Sequence, residues 1–184
     1  ALEKEIDPIL IVLASDHEIR DNKVFIEALK SGINYSQAGK LVSFGIRPTS
    51  AETGYGYIKA RETLSNTDFK GEIIEEFLEK PNFEKATEFI KNKQFSWNSG
   101  IFMFKAKTLL NEIEKFSPEI LLNCQKALKD SVKDLDFQRL NGISFENCPN
   151  ESFDIAVMEK TTKGIVIPLC CGWSDIGSWA AVWE

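Results

Sequence analysis

Short apolar runs separated by polar turns predict a strand–helix–strand unit at the start of the chain. Residues 9–14 (ILIVLA) form a continuous apolar run, which is typical of a strand covered on both faces. Residues 41–46 have the same character, and residues 21–31 between them mix charged and apolar positions as a helix does. A strand, a helix and a second strand in this order predict a parallel crossover.

The middle of the chain contains patterns typical of strands and a pattern typical of a helix. Residues 55–61 and 72–78 alternate between apolar and polar positions, so they predict two antiparallel strands joined by a polar connection. Residues 82–91 predict an amphipathic helix with Asn82 as its N-cap. The apolar residues 101–104 predict another strand.

The last part of the chain predicts more helix than strand. Two successive helices are expected over residues 106–116 and 118–129, whereas residues 131–151 show no clear pattern. The remaining predicted elements are a short helix over 152–160, a strand over 164–171 and the start of a helix over 178–183. Together these patterns predict an α/β domain with a mixed, mostly parallel sheet, and ligands of such sheets bind at the carboxyl ends of strands.

Composition and charge narrow the classes of function. The chain has 28 acidic and 22 basic residues, a formal net charge of −6. A protein that binds a nucleic-acid backbone needs a basic face, so we expect no nucleic-acid partner, although a small phosphorylated ligand remains compatible. No apolar run reaches the roughly 18 residues of a membrane span, and no leader with a cleavage site is present, so we expect a cytoplasmic protein without a membrane partner.

The cysteines do not predict a metal site. None of the four belongs to a C-x-x-C pair, and His17 is the only histidine, so no zinc site can be assembled from this spacing. A reducing compartment is the expected environment. The chain starts without Met directly before an apolar strand, so we expect it to be an excerpt of a longer protein.

A first polar cluster follows the first predicted strand. Asp16 stands directly after the ILIVLA run, where a carboxylate at the carboxyl end of a strand is well placed to hold a divalent cation. The alternative is that Asp16 caps the helix that follows. His17 alone is weak evidence for a ligand, and we expect it to pack or to form a local hydrogen bond.

A second cluster closes the strand over residues 72–78. Pro81 cannot continue a strand, so Glu79 and Lys80 stand at its end, and side-chain alternation predicts that they lie on opposite faces. A rigidly held Lys can bind a phosphate, and a neighbouring Glu can accept hydrogen bonds from sugar hydroxyls. The alternative is a solvated Glu–Lys pair with no function.

A third cluster, WSDIGSW, follows the strand over residues 164–171. It places Asp175 in a turn at a second strand end. If the two strands are neighbours, Asp16 and Asp175 can share one cation. A capping role is again the alternative for Asp175.

Taken in order, the motifs of the chain resemble those of a known family. VLASDH, PTSAETGYGYI, FLEKP, WNSGIFMF, FDIAVMEKT and WSDIGSW are together similar to the mannose-1-phosphate guanylyltransferases, over nearly the whole chain. The resemblance implies a Rossmann-like nucleotidyltransferase fold, N-terminally truncated, with residues 1–184 as one partial nucleotidyltransferase domain. It also implies formation of GDP-mannose and pyrophosphate from GTP and mannose 1-phosphate, with Mg²⁺ as cofactor.

The resemblance also assigns roles to single residues. Asp16 and Asp175 would be Mg²⁺ ligands, and with Lys80, which would hold the sugar phosphate, they are the expected catalytic residues. The residues expected to bind the sugar, through side chains or backbone, are Tyr55, Gly56, Glu79 and Asn98.

Two departures from the family pattern bear on these expectations. Ala14 stands where the family usually has Pro, which is a mild change. The glycine-rich loop that wraps the triphosphate in the family is absent from the sequence, so we expect residues 1–184 alone to bind GTP poorly, to lack turnover and to be prone to aggregation.

Two other functions remain open at this stage. One is a uridylyl- or thymidylyltransferase of the same fold that acts on another sugar 1-phosphate. The other is an inert sugar-nucleotide-binding regulatory subunit. The resemblance is closest to the bacterial type of the family, which often carries a C-terminal phosphomannose isomerase domain. The sequence leaves undecided the base specificity, the presence of that domain in the longer protein and a homo-oligomeric state.

Overall fold

The computed structural model describes residues 7–65 and 67–177. In chain order the strands are β1 Ile9–Val12, β2 Glu18–Ile19, β3 Leu41–Ile46, β4 Tyr57–Ala60, β5 Glu72–Leu78, β6 Phe95–Lys105, β7 Val132–Asp134, β8 Phe137–Arg139, β9 Gly164–Pro168 and β10 Trp173–Ser174. The helices are α1 Asn22–Gln37, α2 Phe83–Phe89, α3 Ala106–Phe116, α4 Pro118–Lys129 and α5 Gly142–Glu146, and a π-helical turn covers Asp154–Met158. The helix expected over 178–183 lies outside the described residues.

The chain divides into two compact units. Unit 1 comprises residues 1–108 and 162–184, and unit 2 comprises residues 109–161. Unit 1 contains a six-stranded sheet in the order β1-β6-β3-β9-β5-β4, in which β4 also pairs with β6. None of the helices within the described residues is long and apolar enough to span a membrane.

The sheet is mixed, as the sequence predicts, but its neighbouring strands are not mostly parallel. Among the described pairings only β3 and β9 are parallel. The physical reason is that β5 and β6 run against the other four strands and lie between them. β1 and β3 are therefore parallel to each other, as expected of the crossover, but β6 separates them.

β1 is also less buried than its apolar sequence predicts. Three consecutive side chains, Ile11, Val12 and Leu13, are 44%, 46% and 50% exposed. The expectation of a strand covered on both faces is therefore wrong for these residues. β1 lies at the end of the described sheet and pairs there with β6 alone, which leaves its outer side uncovered.

Helix α1 packs closely on the sheet because small residues form its inner stripe. The side chain of Asp21 caps the helix by accepting hydrogen bonds from the first-turn amides. The buried positions Ala28, Gly32 and Ser36 recur every four residues and so lie on one face. A Cβ at Gly32 would lie 3.0 Å from Met103 Sδ, so glycine at this position permits the close approach without displacing Met103.

Unit 2 consists of helices and a short hairpin. α3 and α4 occupy the ranges that the sequence predicts, and β7 and β8 form an antiparallel hairpin within the stretch that gave no clear pattern. The Ser117 hydroxyl donates a hydrogen bond to the carbonyl of Ala156 at 3.1 Å, which fastens the start of α4 to the π-helical turn.

Candidate active site

A short two-stranded ribbon brings two distant loops together in unit 1. The segments after β1 and β9 contain β2 and β10, which pair antiparallel with Trp173 opposite Ile19 and Ser174 opposite Glu18. Asp16 precedes β2 and Asp175 follows β10, so both carboxylates stand at the same end of this ribbon. The premise that β1 and β9 are neighbours is wrong, because β6 and β3 lie between them. The ribbon supplies the proximity instead.

Asp16 does not have the capping role that was its alternative interpretation. The N-cap of α1 is Asp21, whose Oδ1 accepts from the amides of Lys23 at 3.0 Å and Val24 at 3.1 Å. Asp16 is exposed in the loop between β1 and β2. Its carboxylate therefore faces solvent at the strand end, where a cation and a substrate phosphate can reach it.

Asp175 is held by a residue of the predicted sugar pocket. Its Oδ1 accepts a hydrogen bond from the Tyr55 hydroxyl at 2.8 Å and another from the amide of Gly177 at 3.1 Å. Burial, followed by the hydrogen bond to Asp175, raises the pKa of Tyr55 above its ordinary value. The phenol consequently stays protonated and donates, which fixes the orientation of the Asp175 carboxylate.

Four aromatic rings join the loops of the site. Tyr55 packs edge-on against Trp97 and Trp173, with ring centroids 5.1 Å and 5.6 Å apart. Trp173 in turn packs edge-on against His17 at 5.2 Å, and its indole Nε1 donates to His17 Nδ1 at 3.2 Å. His17 therefore packs as expected, but its hydrogen-bond partner is 156 residues away rather than local. In the neutral ring this bond places the proton on Nε2.

Gly56, Glu79 and Asn98 form a compact group beside Tyr55. A Cβ at Gly56 would lie 2.8 Å from Glu79 Oε2 and 3.4 Å from Asn98 Cβ. The backbone amide of Asn98 donates a hydrogen bond to the backbone carbonyl of Gly56 at 2.8 Å, which holds strand β6 against the loop before β4. The structure thus brings together three of the four residues expected to bind the sugar, with the fourth adjacent in sequence.

Asn98 stands at an irregularity of strand β6. Between β3 and β6 the register shifts, since Gly45 pairs with Asn98 while Ser43 pairs with Phe102. Gly100 takes up this shift with a φ of 70°, which favours glycine. The Asn98 Oδ1 accepts from the Ser43 hydroxyl at 3.2 Å and from the Gly100 amide at 3.1 Å, so this oxygen stabilises the bulge.

Lys80 has an unusual backbone conformation. Its φ is 47°, and positive φ is uncommon for residues other than glycine. The turn brings Lys80 Nζ to 3.5 Å from Glu79 Oε1, so the two side chains are not on opposite faces, and that expectation is wrong. Side chains alternate between the two faces only where the backbone is extended, whereas the backbone of Lys80 has a left-handed conformation. The Lys80 side chain is 62% exposed, which leaves its ammonium group accessible to a ligand.

Comparison with known proteins identifies the family. The profile of the family described as Nucleotidyl transferase matches residues 1–184. The chain belongs to the nucleotidyl transferase family. The α/β domain described above is accordingly a nucleotidyltransferase domain.

Similar sequences share a common description. A mannose-1-phosphate guanylyltransferase of Salmonella typhimurium is 46% identical over 178 residues, which are 97% of this chain and 36% of that protein. A mannose-1-phosphate guanylyltransferase of Escherichia coli K12 is 44% identical over 98% of the chain and 38% of that protein. A putative one of Vibrio cholerae is 44% identical over 100% of the chain and 39% of that protein. The chain thus spans less than two fifths of the length of these relatives.

Solved structures support the same fold. A Helicobacter pylori structure described as a mannose-6-phosphate isomerase has a TM-score of 0.82 and 33% identity, covering 94% of this chain and 66% of that one. A Thermus thermophilus structure described as a mannose-1-phosphate geranyltransferase has a TM-score of 0.79 and 30% identity, covering 98% of this chain and 50% of that one. An Acinetobacter UDP-glucose pyrophosphorylase at 16% identity, with a TM-score of 0.53 over 95% of this chain and 48% of that one, shows the fold alone.

The carboxylates of this nucleotidyltransferase domain suit a divalent metal. Members of the family generally use a divalent metal ion. The described part of the chain contains no group of three or more His, Cys, Asp or Glu side chains that could enclose one. Asp16 and Asp175 supply two hard oxygen donors at one end of the ribbon. A cation that completes its shell with substrate phosphates and water needs no more than one or two carboxylates, so these residues fit it.

Sequence reasoning missed the contacts between side chains of different motifs. One cluster contains His17 and an aromatic residue from each of three motifs: Tyr55 of TGYGYI, Trp97 of WNSG and Trp173 of WSDIG. The hydrogen bond from Tyr55 to Asp175 joins two of these motifs across 120 residues of sequence. The signal available in the sequence was the presence of an aromatic residue in each of these motifs. Nothing in the spacing shows that the aromatic residues contact one another.

Proposed function

We propose that the protein containing this chain transfers a guanylyl group from GTP to mannose 1-phosphate and forms GDP-mannose and pyrophosphate. The observation that carries this proposal is the bond from Tyr55 to Asp175, because it joins the compact group around Gly56 to a strand-end carboxylate. A sugar phosphate and a metal-bound nucleotide have to meet at such a junction. The shared description of the relatives that are 42–47% identical supports the choice of sugar and base.

The group formed by Gly56, Glu79 and Asn98 would bind the mannose ring. Glu79 offers carboxylate oxygens that accept hydrogen bonds from sugar hydroxyls, and Asn98 offers an amide. Glycine at position 56 lets the Glu79 carboxylate lie close to the backbone, since a Cβ there would come to 2.8 Å from Glu79 Oε2. The backbone of Tyr55 and Gly56 would line the same pocket.

Lys80 would hold the phosphate of mannose 1-phosphate. Its left-handed backbone directs the side chain back toward Glu79, so one turn presents both the sugar-binding carboxylate and the phosphate-binding ammonium group. Backbone strain of this kind costs about 1–3 kcal/mol and persists where the surrounding structure enforces it, often at functional sites. The strain at Lys80 therefore supports a role in binding.

Asp16 and Asp175 would hold Mg²⁺ together with the nucleotide phosphates. A bound Mg²⁺ supplies charge neutralisation between two anionic substrates. Tyr55 and the Gly177 amide orient Asp175 by binding its Oδ1. Asp16 remains accessible to solvent and to the triphosphate.

The reaction requires positioning more than covalent help from the protein. A phosphate oxygen of mannose 1-phosphate attacks the α-phosphorus of GTP in line, the bond from that phosphorus to the bridging oxygen breaks, and pyrophosphate leaves. Lys80 neutralises the attacking phosphate, and the sugar-binding residues fix its direction of approach. No Ser–His or Cys–His nucleophile is needed. A cytoplasmic location and a homo-oligomeric state stay predictions.

An assay of the natural full-length protein tests this function. Pyrophosphate release should require Mg²⁺ and should be greatest with GTP and mannose 1-phosphate in a panel of four nucleoside triphosphates and several hexose 1-phosphates. Preference for UTP or dTTP with another sugar would support the same-fold alternative. Absence of turnover with every pair would support the inert binding subunit.

A Lys80 variant tests the assignment of the phosphate site. Lys80→Ala should raise the KM for mannose 1-phosphate about tenfold or more while the KM for GTP changes little, since one charge-assisted contact of roughly 1.5–3 kcal/mol is lost. Lys80→Arg should restore activity poorly, because a planar fork does not replace a compact charge at a fixed point. Steady-state constants that Lys80→Ala leaves unchanged would refute the role.

A further inference from the structure

Helix α5 of unit 2 is hydrogen-bonded to helix α4 at both of its ends. The backbone amide of Asn141 donates a hydrogen bond to the backbone carbonyl of Ala127 at 3.0 Å. At the other end, Asn123 Nδ2 donates to the carbonyl of Asn147 at 3.2 Å. These two hydrogen bonds hold α5 and its C-terminal end against α4.

Each of the two residues joined by the second hydrogen bond is followed in the sequence by a cysteine. Cys124 comes after Asn123 on α4, and Cys148 comes after Asn147 at the end of α5. Both are thiols, Cys124 exposed and Cys148 half-buried. Partial burial raises the pKa of Cys124, and the neighbouring Cys148 thiol adds to this effect. The hydrogen bond between Asn123 and Asn147, together with the effect of one thiol on the other, therefore places Cys124 and Cys148 close together in an accessible part of unit 2.

We propose that Cys124 and Cys148 are a redox modification site, at which a small-molecule disulfide such as oxidised glutathione forms a reversible intramolecular disulfide. The exposed Cys124 thiolate attacks one glutathione sulfur, forms a mixed disulfide and releases one glutathione thiolate. The Cys148 thiolate then attacks Cys124 Sγ, forms the bond between the two cysteines and releases the second glutathione. Both cysteines are oxidised, and one glutathione disulfide is reduced to two thiols.

The other two cysteines lack this arrangement. Cys170 is exposed but its neighbour Cys171 is buried, and burial raises the pKa of Cys171 to about 11. Because Cys171 is buried, a disulfide reagent cannot reach its thiol, and it is a poor partner for exchange. Cys170 is accordingly a matched control: an exposed cysteine of the same chain without an accessible second thiol.

The disulfide would close a loop over residues 124–148 that contains the hairpin of β7 and β8. Such a link restricts the unfolded ensemble and limits opening of the segment. Its formation depends on contacts within unit 2 alone, so this inference stands independently of the proposed transferase function.

Peptide mapping tests the proposal. The protein is incubated with oxidised glutathione, blocked with a thiol-alkylating reagent and digested with trypsin without reduction. We expect the peptides 116–126 and 140–160 to appear linked, with a mass lower by two hydrogen atoms than their sum, and two free thiols to be lost per chain. Treatment with a reducing thiol should restore both peptides. Cys170→Ser should behave in the same way as the wild type.

The two single cysteine variants should give a stable glutathione adduct instead of an intramolecular disulfide. Cys124→Ser and Cys148→Ser should each retain one glutathione on the remaining cysteine, because no second thiol resolves the adduct. Stable glutathione adducts on both cysteines of the wild type would overturn the proposal. So would a linkage that includes Cys170, or two thiols that stay reduced while Cys170 reacts.

Discussion

At the scale of a single residue, Tyr55 connects two parts of the proposed site, since its backbone borders the predicted sugar pocket while its hydroxyl donates to the predicted metal ligand Asp175. A phenol with a raised pKa is a permanent donor, so the bond persists over the working range of an enzyme. The protonated phenol stabilises the folded state fully below the ordinary tyrosine pKa of about 10. This contribution declines as the pH rises above that value through the raised pKa of the folded protein.

Removal of the Tyr55 hydroxyl should weaken the metal site. In the full-length protein, Tyr55→Phe should lower kcat/KM about tenfold or more, since a hydrogen bond to a charged acceptor contributes roughly 1.5–3 kcal/mol. The half-saturating Mg²⁺ concentration should rise because the Asp175 carboxylate is no longer held. Tyr35→Phe is the matched control, because its hydroxyl binds the backbone of Gly71 away from the site. An equal change of Mg²⁺ dependence in both variants would contradict the role of Tyr55.

Gly56 gives a second prediction at this scale. A methyl group at Gly56 would meet Glu79 Oε2 at 2.8 Å, so Gly56→Ala should displace that carboxylate and raise the KM for the sugar phosphate about tenfold, as crowding of roughly 1–3 kcal/mol implies. The KM for GTP should change little. Gly54→Ala is the control, since none of the described residues lies within 4 Å of a Cβ there. If Gly54→Ala raises the same KM equally, direct crowding is not the cause.

At the scale of elements, the sequence predicts helices better than strand pairing. The bounds of α3 and α4 agree with the prediction because helical periodicity and an N-terminal Pro118 are local signals. β6 spans Phe95–Lys105, but only residues 101–104 were predicted, since its polar first half is stabilised by β3 and β4 on either side. Such pairing is a long-range property that a window of sequence does not contain.

The β7–β8 hairpin carries strain that a substitution should relieve. Leu135 lies in its turn with a φ of 54° and is 94% exposed, so it combines an unfavourable backbone with almost no packing. Leu135→Gly should stabilise the protein by about 0.5–1 kcal/mol, since glycine tolerates positive φ although it loses more backbone entropy. A urea titration should show a higher midpoint at an unchanged slope. Asp136→Gly, in the same turn without positive φ, should give no gain.

At the scale of the whole molecule, the sequence located the candidate site but not the way in which it is assembled. The motifs contain every residue of the group around Gly56, and the strand-end position of Asp16 and Asp175 was visible in the pattern. The ribbon that joins the two loops was not, because β2 and β10 are each only two residues long. Two residues carry no periodicity, so only the three-dimensional contacts reveal them.

The exposed strand β1 predicts self-association of the isolated chain. Its exposed side chains Ile11 and Val12, followed by the exposed Leu13, lie at the end of the described sheet, and an apolar edge strand is a template for pairing with another molecule. Val12→Lys should reduce light scattering by concentrated solutions of residues 1–184, since a charged edge resists pairing. Leu135→Lys is the control, because it removes an apolar side chain that is more exposed than Val12 but lies in a turn rather than at the edge of the sheet. An equal reduction in that variant would show that general exposure, rather than the edge, drives association.

The bond between Trp173 and His17 spans 156 positions of the chain, and this distance bears on when the site comes into existence during synthesis. His17 and Asp16 leave the ribosome before Trp173 and Asp175, which follow only after all of unit 2 has been translated. Contacts of such separation form late, because the intervening chain has to be ordered first. A ribosome-bound nascent chain should therefore acquire its helices and most of its sheet while it still has no binding competence.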